Sequence, residues 1–134
     1  MIARVQTSEG VFTVDVDEEE VLELDADARV DVPPAPPTGL PRVVAAAAAG
    51  STVVAVVAAK PPLLVSHDAG ATWSESGRGL PPGFAVAIDD DDPDVVLYAA
   101  RNRLYLSRDG GRFWYPLPVE LPEIEALELV AQSH

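Results

Sequence analysis

One octapeptide occurs twice in this chain, and that repetition constrains the fold more than any other feature. Ser66–Trp73 and Ser107–Trp114 share the pattern S-x-D-x-G-x-x-W, 41 residues apart. The flanks also match. Val54, Ala59, Lys60, Leu63 and Val65 fall opposite Val95, Ala100, Arg101, Leu104 and Leu106 in a gapless alignment. A period near 40 residues marks a repeat architecture in which each copy is one supersecondary unit.

Strand signals run through the whole chain. Segments rich in Val, Ala, Leu and Tyr are broken about every 8 to 12 residues by Gly, Pro, Asp or Ser, which is the pattern of an all-β protein with many short strands. No stretch sustains a helical apolar stripe with caps. The Ala45–Ala49 run is short and meets a Gly50-Ser51 turn, so it is read as a strand. Each repeat then parses into four strands, a to d. The first spans 42–76, with a at Arg42–Ala49, b at Thr52–Ala59, c at Leu63–Ser66 and d beginning at Thr72. The second spans 84–116, with Phe84–Ile88, Val95–Ala100, Leu104–Ser107 and Arg112–Tyr115. At the C-terminal end, Ile124–Ala131 reads as one more strand a. In residues 1–24, Ile2–Thr7, Val11–Val14 and Val21–Leu24 read as b, c and d with no a before them. Asp15, Asp17 and Leu22 stand where the Ser, Asp and Trp of the octapeptide would fall, so this is a degenerate third copy without its Gly. The expectation is a single domain of three four-stranded units, one of them split between the two ends. Asp25–Pro41, with Pro33, Pro34, Pro36 and Pro37, is the only long connector, and its proline core is expected to be extended and stiff.

The octapeptide has a physical logic. A turn between strands leaves backbone N–H groups without ladder partners, and Ser and Asp side chains accept from such groups locally. Gly70 and Gly111 supply positive φ without steric cost. Trp73 and Trp114 then place a large ring against the core at the start of strand d.

With these residues in view, Ser66–Trp73 and Ser107–Trp114 resemble the Asp-box, or BNR repeat, of β-propellers. Sialidases, sortilin-type receptors, xyloglucan-degrading hydrolases and a photosystem II assembly factor share that repeat, so the resemblance implies a fold and leaves function open. It implies a structural role for Ser66, Asp68, Gly70, Trp73, Ser107, Asp109, Gly111 and Trp114 on the face away from the ligand-binding mouth. Propellers close with about four to eight blades, and three do not suffice. The last strand is expected to be unable to reach its own N-terminal set across an open arc. Two copies exchanging that strand are therefore expected to form a homodimeric six-bladed ring.

Composition excludes several function classes. There is no cysteine, hence no disulfide, thiolate metal site or thiol nucleophile. The formal net charge of −13 opposes a sequence-independent grip on nucleic acid or on an anionic membrane. No apolar run has the length of a membrane-spanning helix. Met1–Gly10 lacks the apolar core of a signal peptide, and the expected location is cytoplasmic.

The propeller resemblance places the b–c and d–a loops on the ligand-binding face. That gathers Lys60, Arg78, Arg101, Asn102 and Arg103 on one rim, with Arg29 and Arg42 beside them, as a surface for a protein or a small anionic ligand. The plain alternative is that these are solubilising loop residues. The opposite rim receives both octapeptides and the run Asp89, Asp90, Asp91, Asp92 and Asp94. That run reads as a turn between strands a and b. The competing calcium reading lacks the spacing and Gly of a known calcium loop. Tyr98, Tyr105 and Tyr115 are expected to pack between blades. The sialidase Arg-Ile-Pro signature is absent, Leu40-Pro41-Arg42-Val43 being no match, and no His-centred triad is expected from His67 and His134. The expected role is a non-catalytic binding or scaffold protein without a cofactor. The alternative is a carbohydrate-binding or glycoside-hydrolase-like protein.

Overall fold

The computed structural model describes residues 1–32 and 34–130. Pro33, Ala131 and His134 therefore lie outside the described residues. Twelve strands form three four-stranded antiparallel sheets, and there is no helix among the described residues. The first-repeat sheet is β4 (Val43–Ala49), β5 (Thr52–Val57), β6 (Leu63–Ser66) and β7 (Ser74–Ser76), in that spatial order. The second-repeat sheet is β8 (Gly83–Ile88), β9 (Val96–Ala100), β10 (Leu104–Ser107) and β11 (Tyr115–Pro116). Each is a meander of the kind that makes a propeller blade. The d strands begin later than Thr72 and Arg112, because both tryptophans still belong to the turn.

The split sheet joins the two ends of one chain. Its order is β12 (Ile124–Val130), β1 (Ile2–Thr7), β2 (Gly10–Asp15) and β3 (Glu20–Asp25). Ile2 lies opposite Val130, Val5 opposite Leu127, and Thr7 opposite Ile124. This corrects the expectation that the last strand cannot reach its own N-terminal set. The reason is the order of the sheets. The second-repeat sheet lies in the middle, and its inner strand β8 touches both β4 and β12. The split sheet thus sits directly beside the sheet that precedes β12 in sequence, and the long connector spans the remaining gap. Connector residues Asp31, Val32, Pro34 and Pro36 border a partly open cavity of about 350 Å³ together with Ala47, Ile88 and Leu129 of the inner strands.

Alternation along the strands builds two apolar interfaces. From the second-repeat sheet, Val86, Ile88, Val96 and Tyr98 meet Val54, Val56, Leu63 and Val65 of the first-repeat sheet. Its other face presents Ala87, Leu97, Leu104 and Leu106 to Ala3, Val5, Val14 and Leu127 of the split sheet. The middle sheet is covered on both sides, and all five residues of β9 are buried. Such strands read as continuous apolar runs.

The split sheet is one-sided. Opposite its core face, Arg4 and Glu128 form a cross-strand ion pair at 3.2 Å, and Gln6 donates to Glu125 at 3.4 Å. Thr13 and Glu23 continue the row occupied by Arg4 and Glu128. A polar outer face of this kind is what terminal units of repeat arrays carry.

Pairing also corrects the gapless alignment. Val56 lies opposite Leu63, whereas Ala99 lies opposite Leu104. The b–c hairpin of the first repeat is therefore two residues longer, and the true counterpart of Val54 is Leu97. An even offset preserves which face each side chain occupies, so the sequence alone gives no sign of the slip.

Candidate functional site

Antiparallel connectivity sorts the loops onto two rims. One rim holds the turns 15–20, 50–51, 66–73, 89–94 and 107–114. Backbone bonds tie these together, from Ala69 N–H to the Ser51 carbonyl and from Gly110 N–H to the Asp94 carbonyl.

The two octapeptides close on themselves. In the first, the Ser66 hydroxyl donates to Asp68 Oδ1 and accepts from the Gly70 N–H at 2.8 Å. Asp68 also accepts from the Thr72 N–H at 2.8 Å and from the Thr72 hydroxyl. These Thr72 bonds, with the Ser66 hydroxyl after them, lower the Asp68 carboxyl to about 2. In the second, the Ser107 hydroxyl donates to Asp109 and accepts from the Gly111 N–H at 2.9 Å. Burial works against ionisation of Asp109, but donations from Phe113 N–H, the Ser107 hydroxyl and Arg112 N–H outweigh it and hold the carboxyl below its ordinary value. Gly70 and Gly111 take φ of +89° and +90°. Trp73 and Trp114 are half-buried, less than a core ring would be. Trp114 donates its indole N–H to the Ser76 hydroxyl of the neighbouring sheet at 2.9 Å. Both carboxylates are thus committed to their own turns, which leaves little capacity for chemistry on a substrate.

The degenerate turn is shorter and loses the side-chain plan: β3 starts at Glu20 after β2 ends at Asp15, whereas β7 starts only at Ser74 after β6 ends at Ser66. Glu19, four residues after Asp15 as Gly70 is after Ser66, takes φ of +57°, a conformation that costs a non-glycine residue roughly 1–2 kcal/mol. Asp15 accepts from the N–H groups of Asp17 and Glu18. Asp17 instead pairs with the Met1 amine and with Arg108 at 2.8 Å, and both lower its pKa. Leu22 is 49% exposed and does not serve as a tryptophan would.

Asp89 and Asp92 each accept from the N–H two residues ahead, those of Asp91 and Asp94. Among the described residues no group of three or more His, Asp or Glu side chains is arranged to hold a metal. Tyr98 and Tyr105 pack together with ring centroids 6.1 Å apart, but Tyr115 is 59% exposed and does not join them. Its strand is an outer edge, and alternation turns its ring to solvent.

The other rim carries most of the cations. Arg42 approaches the first b–c hairpin, where its carbonyl accepts from Ala58 N–H. Arg101, Asn102 and Arg103 form the second hairpin, closed by Ala100 N–H to the Arg103 carbonyl, and the Arg101 carbonyl accepts from Ile124 N–H. All three residues are exposed. Arg29 lies beside the β1–β2 hairpin and Glu125. Lys60 and Arg78 line one open cleft of about 590 Å³ with Pro62, Glu75 and Leu80. Arg101, Asn102 and Arg103 do not line that cleft. Among the described residues, only Arg4, Arg108 and the Met1 amine form ion pairs. Six of the nine Lys and Arg residues therefore stand on this rim without one, in a protein of net charge −13.

Sequence reasoning missed Arg112 and Phe113. They occupy the two variable positions before Trp114, where the first copy has Ala71 and Thr72. Thr72 bonds to Asp68, whereas Phe113 is 66% exposed. The contrast between copies at these positions was the available signal.

Comparison with known proteins adds little. No family model matches the chain, and no curated protein matches it. Among solved structures, the chain is similar to a GH74 enzyme of Niastella koreensis, with 22% identity and a TM-score of 0.48. The similarity covers 88% of this chain and 17% of that one, so the chain spans about a sixth of the enzyme's length.

Proposed function

We propose that this protein is a non-catalytic binding platform whose b–c rim receives a protein or a small anionic ligand. The supporting observation is the segregation of charge. Arg29, Arg42, Lys60, Arg78, Arg101 and Arg103 share a rim without ion-pair partners, among acids that include Glu9, Asp27 and Glu125, while only Arg108 and Arg112 stand with the acidic turns of the other. Arginine and lysine left unpaired at an exposed rim retain their capacity for charge-assisted hydrogen bonds to carboxylate or phosphate. Arg101 and Arg103 project from a tight hairpin, which limits the ordering needed on binding. The rigid sheets below supply position and the loops supply contact.

The test is calorimetric titration with inorganic phosphate and with poly-glutamate at low salt. Saturable binding is expected, weakened about tenfold by Arg101→Glu with Arg103→Glu and weakened again by added salt. Binding that is unchanged by the double reversal would remove the rim from the account.

A further inference from the structure

A groove runs along the outer edge of the first-repeat sheet, distinct from the Arg101 hairpin. At one end, about 590 Å³ of space lies between β7 and the second octapeptide turn, with Val65, Leu80 and Trp114 as apolar lining and Arg112 and Phe113 at its margin. At the other end is the cleft holding Lys60 and Pro62. Glu75, Arg78 and Leu80 border both, so the two spaces adjoin along β7. Strand β7 is the last in its sheet and pairs only with β6.

From this juxtaposition we infer that the groove is a docking site for an acidic, extended peptide segment of another protein, lying along β7 with an apolar side chain over Phe113 and Leu80. Three observations choose that occupant. Arg112, Arg78 and Lys60 are strung along the groove without ion pairs, and Glu75 is the one acid among its lining residues. Phe113 is 66% exposed beside half-buried Trp114 and Arg112, and aromatic and arginine side chains are enriched at protein interfaces. The unpaired edge of β7 offers backbone groups to an extended chain. A basic segment would meet Lys60, Arg78 and Arg112 as like charges. Nucleic acid, a continuous polyanion, would carry phosphates past these three cations and against the acidic turns beside Arg112, whereas a short peptide sets its carboxylates on the groove's cations alone. The inference shares Lys60 and Arg78 with the proposed rim but does not use Arg101 or Arg103.

The probe is a fluorescein-labelled peptide of alternating Glu and Leu, read by anisotropy, with an alternating Lys and Leu peptide as its counterpart. The acidic peptide is expected to bind saturably and the basic one not to bind. Arg78→Glu with Arg112→Glu should weaken binding at least about tenfold, and Phe113→Ala about fivefold. All three side chains are exposed, so circular dichroism should show an unchanged fold. Arg101→Glu with Arg103→Glu should leave peptide binding within about twofold while weakening the phosphate response about tenfold, which separates the groove from the rim. Equal binding of both peptides, no saturable binding of the acidic peptide, or indifference to the Arg78/Arg112 reversal would overturn the inference. So would binding to phosphatidylserine vesicles that the acidic peptide does not compete.

Discussion

Tyr98→Ala is expected to destabilise the protein by about 3–5 kcal/mol, the range for losing a large buried aromatic. Tyr98 is fully buried at the centre of the middle sheet, the one sheet that contacts both others. Its ring lies 6.1 Å from Tyr105 and 6.0 Å from Trp114, the latter edge-on. Burial, with Tyr105 alongside, keeps its hydroxyl neutral well above the ordinary tyrosine range. The hydroxyl donates to the Pro81 carbonyl at 2.7 Å, pinning the connection between the two repeat sheets. Tyr98→Phe should therefore cost less, about 1–2 kcal/mol, because it loses that bond and keeps the ring. Urea denaturation of the three proteins measures both steps. Near-equal stability of the Ala and Phe variants would mean that ring packing does not hold the repeat interface.

Gly83→Ala is expected to cost at least about 3 kcal/mol, above the usual range for an overpacked site because no small rotation relieves it. A Cβ at Gly83 would collide with Cε1, Cζ and the hydroxyl oxygen of Tyr98. The ring is buried and tethered to Pro81, so it cannot swing away. Gly83 has no positive φ, so space and not backbone conformation demands glycine here. A double-mutant cycle makes the point sharply. In the Tyr98→Ala background the clash is absent, and Gly83→Ala should then be close to neutral. Additive costs would show that the penalty arises elsewhere.

Much of the architecture was legible in the sequence because its causes are local. Strands such as Leu63–Ser66 and Leu104–Ser107 are bounded by turn residues and appear with the expected limits. The hydrogen bonds of Ser66 and Asp68 span at most four residues, so spacing reveals them. What failed depends on non-local pairing. Nothing near Ile2 announces that Val130 of the same chain lies opposite it. That pairing follows from which sheet lies in the middle, and from a connector long enough to span the gap left between the other two. The two-residue hairpin difference was hidden because it keeps facing intact. The cations of the candidate rim were visible as residues. Their grouping was partly visible too, since strand direction sorts loops to rims, but the sharing of one cleft by Lys60 and Arg78 required the fold. Phe113 was passed over because the repeat treats its position as variable.

The polar face of the split sheet bears on assembly. Closing a larger ring would bury Arg4, Glu128 and Gln6 against another sheet, and charged groups taken from water need well-matched partners to offset desolvation. The arrangement in which each chain completes its own split sheet leaves Arg4 and Glu128 partly in solvent and paired with each other.

The measurement that bears most directly on this account is a cross-link between Arg4→Cys and Glu128→Cys. The two positions lie opposite each other across β1 and β12, and the chain has no native cysteine to confuse the result. Side chains so paired stand close enough for a disulfide to form with little adjustment. After oxidation, a non-reducing gel is expected to show a single chain of 14.2 kDa with increased mobility. A disulfide-linked dimer instead would mean that the last strand completes the sheet of a second copy, and it would contradict the single-chain arc.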